Sequence, residues 1–111
     1  MSQNTLIRST LFDDYEPDDH PQVIVILQKF LTQWLPDMQK NIRRSLDQKE
    51  WLLLAKDIHA VKGTAGGYGF PMLTDLAVNI EDSLKLENYG NIPRLIDDFD
   101  EICRRIYVDN S

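Results

Sequence analysis

The sequence predicts an all-α protein, an antiparallel up-down four-helix bundle with a short N-terminal helical extension. Three observations carry this. Apolar residues recur every three or four positions along four successive stretches, the mark of amphipathic helices sharing a core. The connections between those stretches are short, which makes consecutive helices antiparallel neighbours. No stretch reads convincingly as a strand. The expected division is an extension and linker over residues 1–20 and the bundle domain over 21–111.

The first element is an apolar patch of Leu6, Ile7, Leu11 and Phe12, read as a short helix. An acidic stretch, Asp13, Asp14, Glu16, Asp18 and Asp19, follows as an exposed linker around Pro17. It lies ahead of a helix start at Pro21, where negative charge meets the positive end of a helix dipole. His20, beside that start, is expected to be exposed and incidental.

From Val23 to Leu46 the stripe is Val23, Leu27, Leu31, Trp34, Met38, Ile42 and Leu46. Pro36 interrupts it and predicts one kinked helix or two coaxial ones, since an interior proline costs about 3 kcal/mol. A polar turn at Asp47 and Gln48 leads to a second helix from about Lys49. That helix turns Trp51, Leu54, Ile58, Val61 and Ala65 inward and ends among Gly66, Gly67 and Gly69. Pro71 opens the third helix as a first-turn proline, with Leu73, Leu76, Ala77, Ile80 and Leu84 inward. Asn88, Gly90 and Asn91 form a turn in which Asn91 caps the last helix. There Leu95, Ile96, Phe99, Cys103 and Ile106 face the core, so Cys103 reads as a buried thiol and not a nucleophile.

Composition narrows the function. The chain has 111 residues, 42% of them apolar, with 18 acidic and 12 basic side chains for a formal charge of −6. That balance argues against nucleic acid, whose binding usually needs a basic surface. One cysteine excludes an intrachain disulfide framework, and two histidines are too few for a histidine-rich metal centre. Neither a signal peptide nor an apolar run of membrane-spanning length is present, so a cytoplasmic protein without membrane insertion is expected. The starting Met1 favours a free-standing protein, and a monomer is expected.

The second helix contains more than a bundle requires. On a wheel of about 100° per residue, Leu52, Ala55, His59, Gly63 and Gly66 fall within about 40° of one line. Lys56 and Lys62 lie about 60° to either side, and the core sector is centred about 130° away. His59 therefore points out of the bundle between two of the smallest side chains. Each interior glycine costs about 1 kcal/mol relative to alanine, so Gly63 and Gly66 need a reason. Structural alternatives are that they end the helix early, near Lys62, or pack closely against a neighbouring helix. A small stripe also clears room around the imidazole for another large surface, with Leu52 as an exposed apolar contact and two lysines suited to an anion.

An exposed imidazole is partly neutral at pH 7 and offers a nitrogen lone pair as base, metal ligand or nucleophile. No serine, cysteine or second histidine lies within a helical turn to complete a hydrolytic arrangement. No glycine-rich loop follows a strand, which disfavours a nucleotide-binding cradle. A nucleophile that forms a phosphohistidine fits the flanking cations best.

The run from His59 to Phe70, HAVKGTAGGYGF, resembles the signature of histidine-containing phosphotransfer (HPt) domains: His-x-x-Lys-Gly, small residues, then an apolar residue and Gly. The segment from Phe30 to Pro36 and the helix from Leu73 to Leu84 are also similar, so the resemblance covers about Pro21 to Val108. It implies that His59 is the phosphoacceptor, on the ring nitrogen farther from the backbone. It implies that Lys62 helps neutralise the phosphoryl group and that Gly63 lets a receiver domain approach. Glu81, on the third helix, matches a position where the family often has Gln or Glu near the ring. It would accept the proton of the other ring nitrogen; the alternative is a solvated edge residue.

The resemblance implies partners too: response regulator receiver domains and a hybrid sensor histidine kinase. The docking face would be Leu52, Ala55, Lys56, Gly63 and Gly66. No intrinsic cofactor or metal is expected, Mg²⁺ being supplied by the receiver. The chain reads as a carrier without kinase activity of its own. A receiver-binding adaptor that takes no phosphate is the second reading. An autonomous enzyme such as a kinase fragment is the third, disfavoured by the missing nucleotide-binding fold.

Overall fold

Each apolar stripe is a helix in the structure, a computed structural model that describes residues 6–108. A short helix α1 (Leu11–Asp14) precedes α2 (Pro21–Lys29), which runs through a π-helical turn (Phe30–Trp34) into α3 (Leu35–Asp47). Then come α4 (Trp51–Gly67), α5 (Pro71–Lys85), a 3₁₀ turn (Tyr89–Asn91) and α6 (Ile92–Arg105). α4 packs against α3 and α5, and α6 against α5 and α3, so these four close a ring. Leu54, Ile58, Val61, Phe70, Leu73, Ile80, Ile92 and Phe99 fill its centre with no solvent exposure. No helix among the described residues is long and apolar enough to cross a membrane.

The first long helix departs from expectation in its register. Phe30 and Leu35 are buried, while Leu31, Trp34 and Met38 are only half-buried. The cause is the π turn, in which the Leu35 N–H reaches back five residues to the Phe30 carbonyl. One extra residue per turn rotates the following stripe, so buried positions fall five apart across it. Pro36 sits in the first turn of α3, just past this wide turn. Its missing N–H and bulky ring are met there, within a continuous helical path.

Three helix ends share one device. After α3, the Glu50 N–H bonds the Ser45 carbonyl at 2.9 Å and the Lys49 N–H bonds Leu46 at 3.0 Å. After α4, Phe70 bonds Ala65 at 3.0 Å and Gly69 bonds Gly66 at 3.1 Å; after α5, Asn88 bonds Ser83 at 2.8 Å and Glu87 bonds Leu84 at 3.1 Å. These are Schellman caps, which turn the chain back sharply and need a left-handed residue. That residue is Lys49 (φ 56°), Gly69 (φ 87°) and Glu87 (φ 56°). The second helix consequently starts at Trp51, two residues later than expected. Asn91 stands at the N-cap position of α6 but makes no capping bond; its side-chain oxygen accepts from Arg94 Nη2 at 2.7 Å instead.

From Ile7 to Phe12 the segment ahead of α2 is stitched to the bundle. Phe12 is buried in the core, and Ser9 Oγ donates to the Tyr68 carbonyl at 2.7 Å. The Thr10 N–H bonds the Gly69 carbonyl at 2.8 Å. Ile7 forms a parallel bridge with Ile106, its N–H bonding Arg105 at 2.8 Å and its carbonyl accepting from Tyr107 at 3.0 Å. Ile106, expected on the last helix, therefore lies beyond it in extended backbone. His20 is half-buried, edge-on to the Tyr15 ring at 5.2 Å. Trp51 is half-buried too, stacked on Tyr89 at 4.4 Å. Cys103 is half-buried among core residues, and burial pushes its thiol up to about 12.

Candidate functional site

α4 is helical because Leu52, Leu53, Leu54 and Ala55 are strong helix formers and Ile58, Val61 and Ala65 anchor one face in the core. It continues through Gly63 and Gly66 to Gly67 and does not stop at Lys62. That carries about two turns of helix beyond His59 and holds the histidine in a rigid interior position.

The outward face is the one the wheel predicts. The His59 side chain is 73% exposed. Leu52 is 89% exposed, and Lys56, Gly63 and Gly66 are exposed as well, with Ala55 half-buried. A Cβ at Gly63 would meet nothing within 4 Å, so the space above it is open. Gly66 differs. A Cβ there would lie 3.1 Å from the Thr74 hydroxyl, which itself donates to the Lys62 carbonyl at 3.2 Å. Gly66 thus seats α5 against α4, besides lying on the exposed line.

That seating positions Glu81. From Thr74 to Glu81 is seven residues along α5, and from Gly66 back to His59 is seven along α4. Opposite steps of equal length are the register of an antiparallel helix pair, and two turns bring each residue back to the same face. Glu81 accordingly reaches His59, with Oε2 3.1 Å from Nδ1, while its Oε1 accepts from Lys62 Nζ at 2.8 Å. The carboxylate is well covered, its side chain 13% exposed. The hydrogen bond from Lys62 first, and that from His59 next, hold it below the usual carboxylate range, so it is ionised at neutral pH.

The chemical consequence follows from the donor inventory. An ionised carboxylate only accepts, so the ring nitrogen facing it must carry the proton. Nδ1–H then points at Glu81, and the lone pair of the neutral ring resides on Nε2. Among the described residues nothing bonds Nε2. The arrangement is an exposed imidazole of fixed tautomer, its lone pair turned to solvent, with an ammonium group on the same patch.

The structure thus brings together His59, Lys62 and Glu81, and lines Leu52, Ala55, Lys56, Gly63 and Gly66 along the exposed face of α4. Thr74 was not singled out from sequence. Its only signal was Gly66, whose small size implied a close neighbour somewhere on the next helix. Lys62 is engaged by Glu81 and is not held free for an incoming anion.

A sequence model of the Hpt domain family matches residues 25–106. That span contains α4 and α5 whole. No curated protein and no solved structure matches the chain closely enough to count as a relative.

Proposed function

The chain belongs to the Hpt domain family, whose members carry phosphoryl groups on histidine in phosphorelays, and we propose that its carrier is His59. It accepts a phosphoryl group from the phosphoaspartate of one receiver domain, as in a hybrid sensor histidine kinase, and passes it to the receiver of a response regulator. The observation that supports this most is the Nδ1 contact with Glu81, which leaves the Nε2 lone pair facing solvent on an uncluttered face.

In the accepting step the Nε2 lone pair bonds to phosphorus. The phosphorus–oxygen bond of the acyl phosphate breaks, and its electron pair goes to the aspartate carboxylate. Phosphoryl transfer passes through a loose transition state with charge spread over three oxygens, so positioning and electrostatics supply most of the acceleration. Lys62 is the cation beside that charge. Gly63 lets a partner backbone come close, and Leu52 offers an apolar contact at the rim. The magnesium ion used in such transfers is expected on the receiver, this chain supplying nucleophile, cation and docking face. It has no kinase activity of its own in this reading.

The test offers the chain a panel of phosphorylated receivers and follows an acid-labile mass increase. Wild type should gain it and His59→Gln should not, with the urea midpoint unchanged because the ring is mostly in solvent. Labelling of His59→Gln, or labelling of wild type by ATP alone, would overturn the proposal. Equal receiver binding by both proteins with no labelling of either would identify an adaptor instead.

A further inference from the structure

We propose that Glu81 sets how long a phosphoryl group stays on His59, as a positioning residue that retains the proton on Nδ1 once Nε2 is phosphorylated. This rests on His59 being the acceptor. Glu81 divides its carboxylate: Oε2 faces Nδ1 at 3.1 Å and Oε1 holds Lys62 at 2.8 Å. Among the described residues Glu81 from α5 is the charged group bonded to the ring, and Lys62 from α4 is bonded to that carboxylate. Lys56 flanks them on α4, exposed and bonded to neither.

A ring bearing both Nδ1–H and a phosphoryl group on Nε2 is an imidazolium cation. In water it gives up the Nδ1 proton readily as pH rises. Opposite a carboxylate it keeps that proton, because an adjacent opposite charge favours the charged form. The proton decides the leaving group. When a water oxygen bonds to phosphorus, the Nε2–P bond breaks and its electron pair returns to Nε2. With Nδ1 protonated the ring departs as neutral imidazole; with the proton gone it must depart as imidazolate, a far poorer leaving group. The same holds when the attacking oxygen belongs to an aspartate carboxylate. The Lys62 ammonium is bonded to the same carboxylate. If that ammonium moves onto the phosphoryl oxygens, the carboxylate faces the ring alone and the proton is held more firmly.

The experiment needs no partner protein. The full chain is phosphorylated with phosphoramidate, freed of reagent, and followed for loss of acid-labile phosphate between about pH 5 and pH 9. Glu81→Gln keeps an acceptor oxygen for Nδ1–H but removes the charge. It should hold the phosphoryl group about tenfold longer at pH 8, with its hydrolysis profile displaced about one unit toward acid, the size expected for loss of one adjacent charge. Glu81→Ala should decay as slowly as Glu81→Gln, because charge and not shape is the operative quantity. Equal decay of wild type and Glu81→Gln across the pH range, or faster decay of either variant, overturns the inference. Failure of wild type to become phosphorylated at all would instead count against His59 as the acceptor.

Discussion

Replacing Gly69 by alanine tests how α4 is terminated and how the N-terminal segment is held. The glycine has φ 87°, and a Cβ there would lie 2.2 Å from Ser9 Oγ, 2.8 Å from the Leu11 nitrogen and 2.9 Å from the Thr10 nitrogen. A serine hydroxyl can swing aside, but two backbone nitrogens cannot move without taking residues 9–11 with them. The left-handed backbone costs an L-residue about 1 kcal/mol. Displacing the segment breaks the Thr10-to-Gly69 and Ser9-to-Tyr68 hydrogen bonds, at about 1 kcal/mol each. Partial withdrawal of Phe12 adds about 1 kcal/mol, a fraction of the 1.5–3 kcal/mol of its full burial. The sum is about 4 kcal/mol. Gly67→Ala is the control, since that site is helical and a Cβ there meets nothing within 4 Å; it should gain a few tenths of a kcal/mol. In a urea titration read by far-UV circular dichroism, with a slope of about 1.5 kcal/mol/M, the Gly69→Ala midpoint should fall by about 2.5 M. A midpoint within about 0.5 M of wild type would refute the reasoning.

Three further outcomes follow. Cys103, with its thiol raised to about 12 by burial first and by Asp100 next, should react negligibly with a thiol reagent at pH 8 when folded and rapidly in urea; comparable rates in both states would contradict the placement. Glu81 is held below the ordinary carboxylate range mainly by Lys62. Its contribution to stability is therefore present above the ordinary value, about 4.3, and lost as pH falls through the depressed one. The stability gap between wild type and Lys62→Met should shrink between about pH 5 and pH 3, and a constant gap from urea titrations across that range would sink the pairing. Gly63→Leu, placed in open space, should leave the fold intact, with a melting temperature near that of wild type. It should nonetheless slow phosphorylation by a receiver about tenfold or more, as misplacement of the reacting groups does; an unchanged rate would remove Gly63 from the docking face.

Much of this was legible in the sequence, for a local reason. The inward faces of α4 and α5 depend only on spacing within one helix, and Leu54, Ile58, Val61, Ala65, Leu73, Ala77 and Ile80 are all fully buried where periodicity put them. The exposure of His59 is equally a property of its own helix. What periodicity does not contain is the meeting of separate segments. The contact of Glu81 with His59 depends on the register set by Thr74 against Gly66, and the docking of Ser9 and Thr10 depends on the turn at Gly69. The π turn was hidden because Phe30 with Leu31, and Trp34 with Leu35, offer apolar residues at adjacent positions. Either member of each pair satisfies a helical stripe. Lys49 and Glu87 gave no sign of a left-handed turn, since neither residue type prefers one.

The parallel bridge between Ile7 and Ile106 has a mechanical meaning. Parallel pairing puts the chain's entry at one side of the bridge and its exit at the other. Tension drawn between the two ends therefore crosses the Ile7 hydrogen bonds to Arg105 and Tyr107 as shear, straining both together and not one after the other. Until they part, everything from α1 to α6 lies inside a closed loop that carries none of the pull. Two backbone hydrogen bonds thus act as a clasp that shields the helices, His59 among them, from force transmitted along the chain.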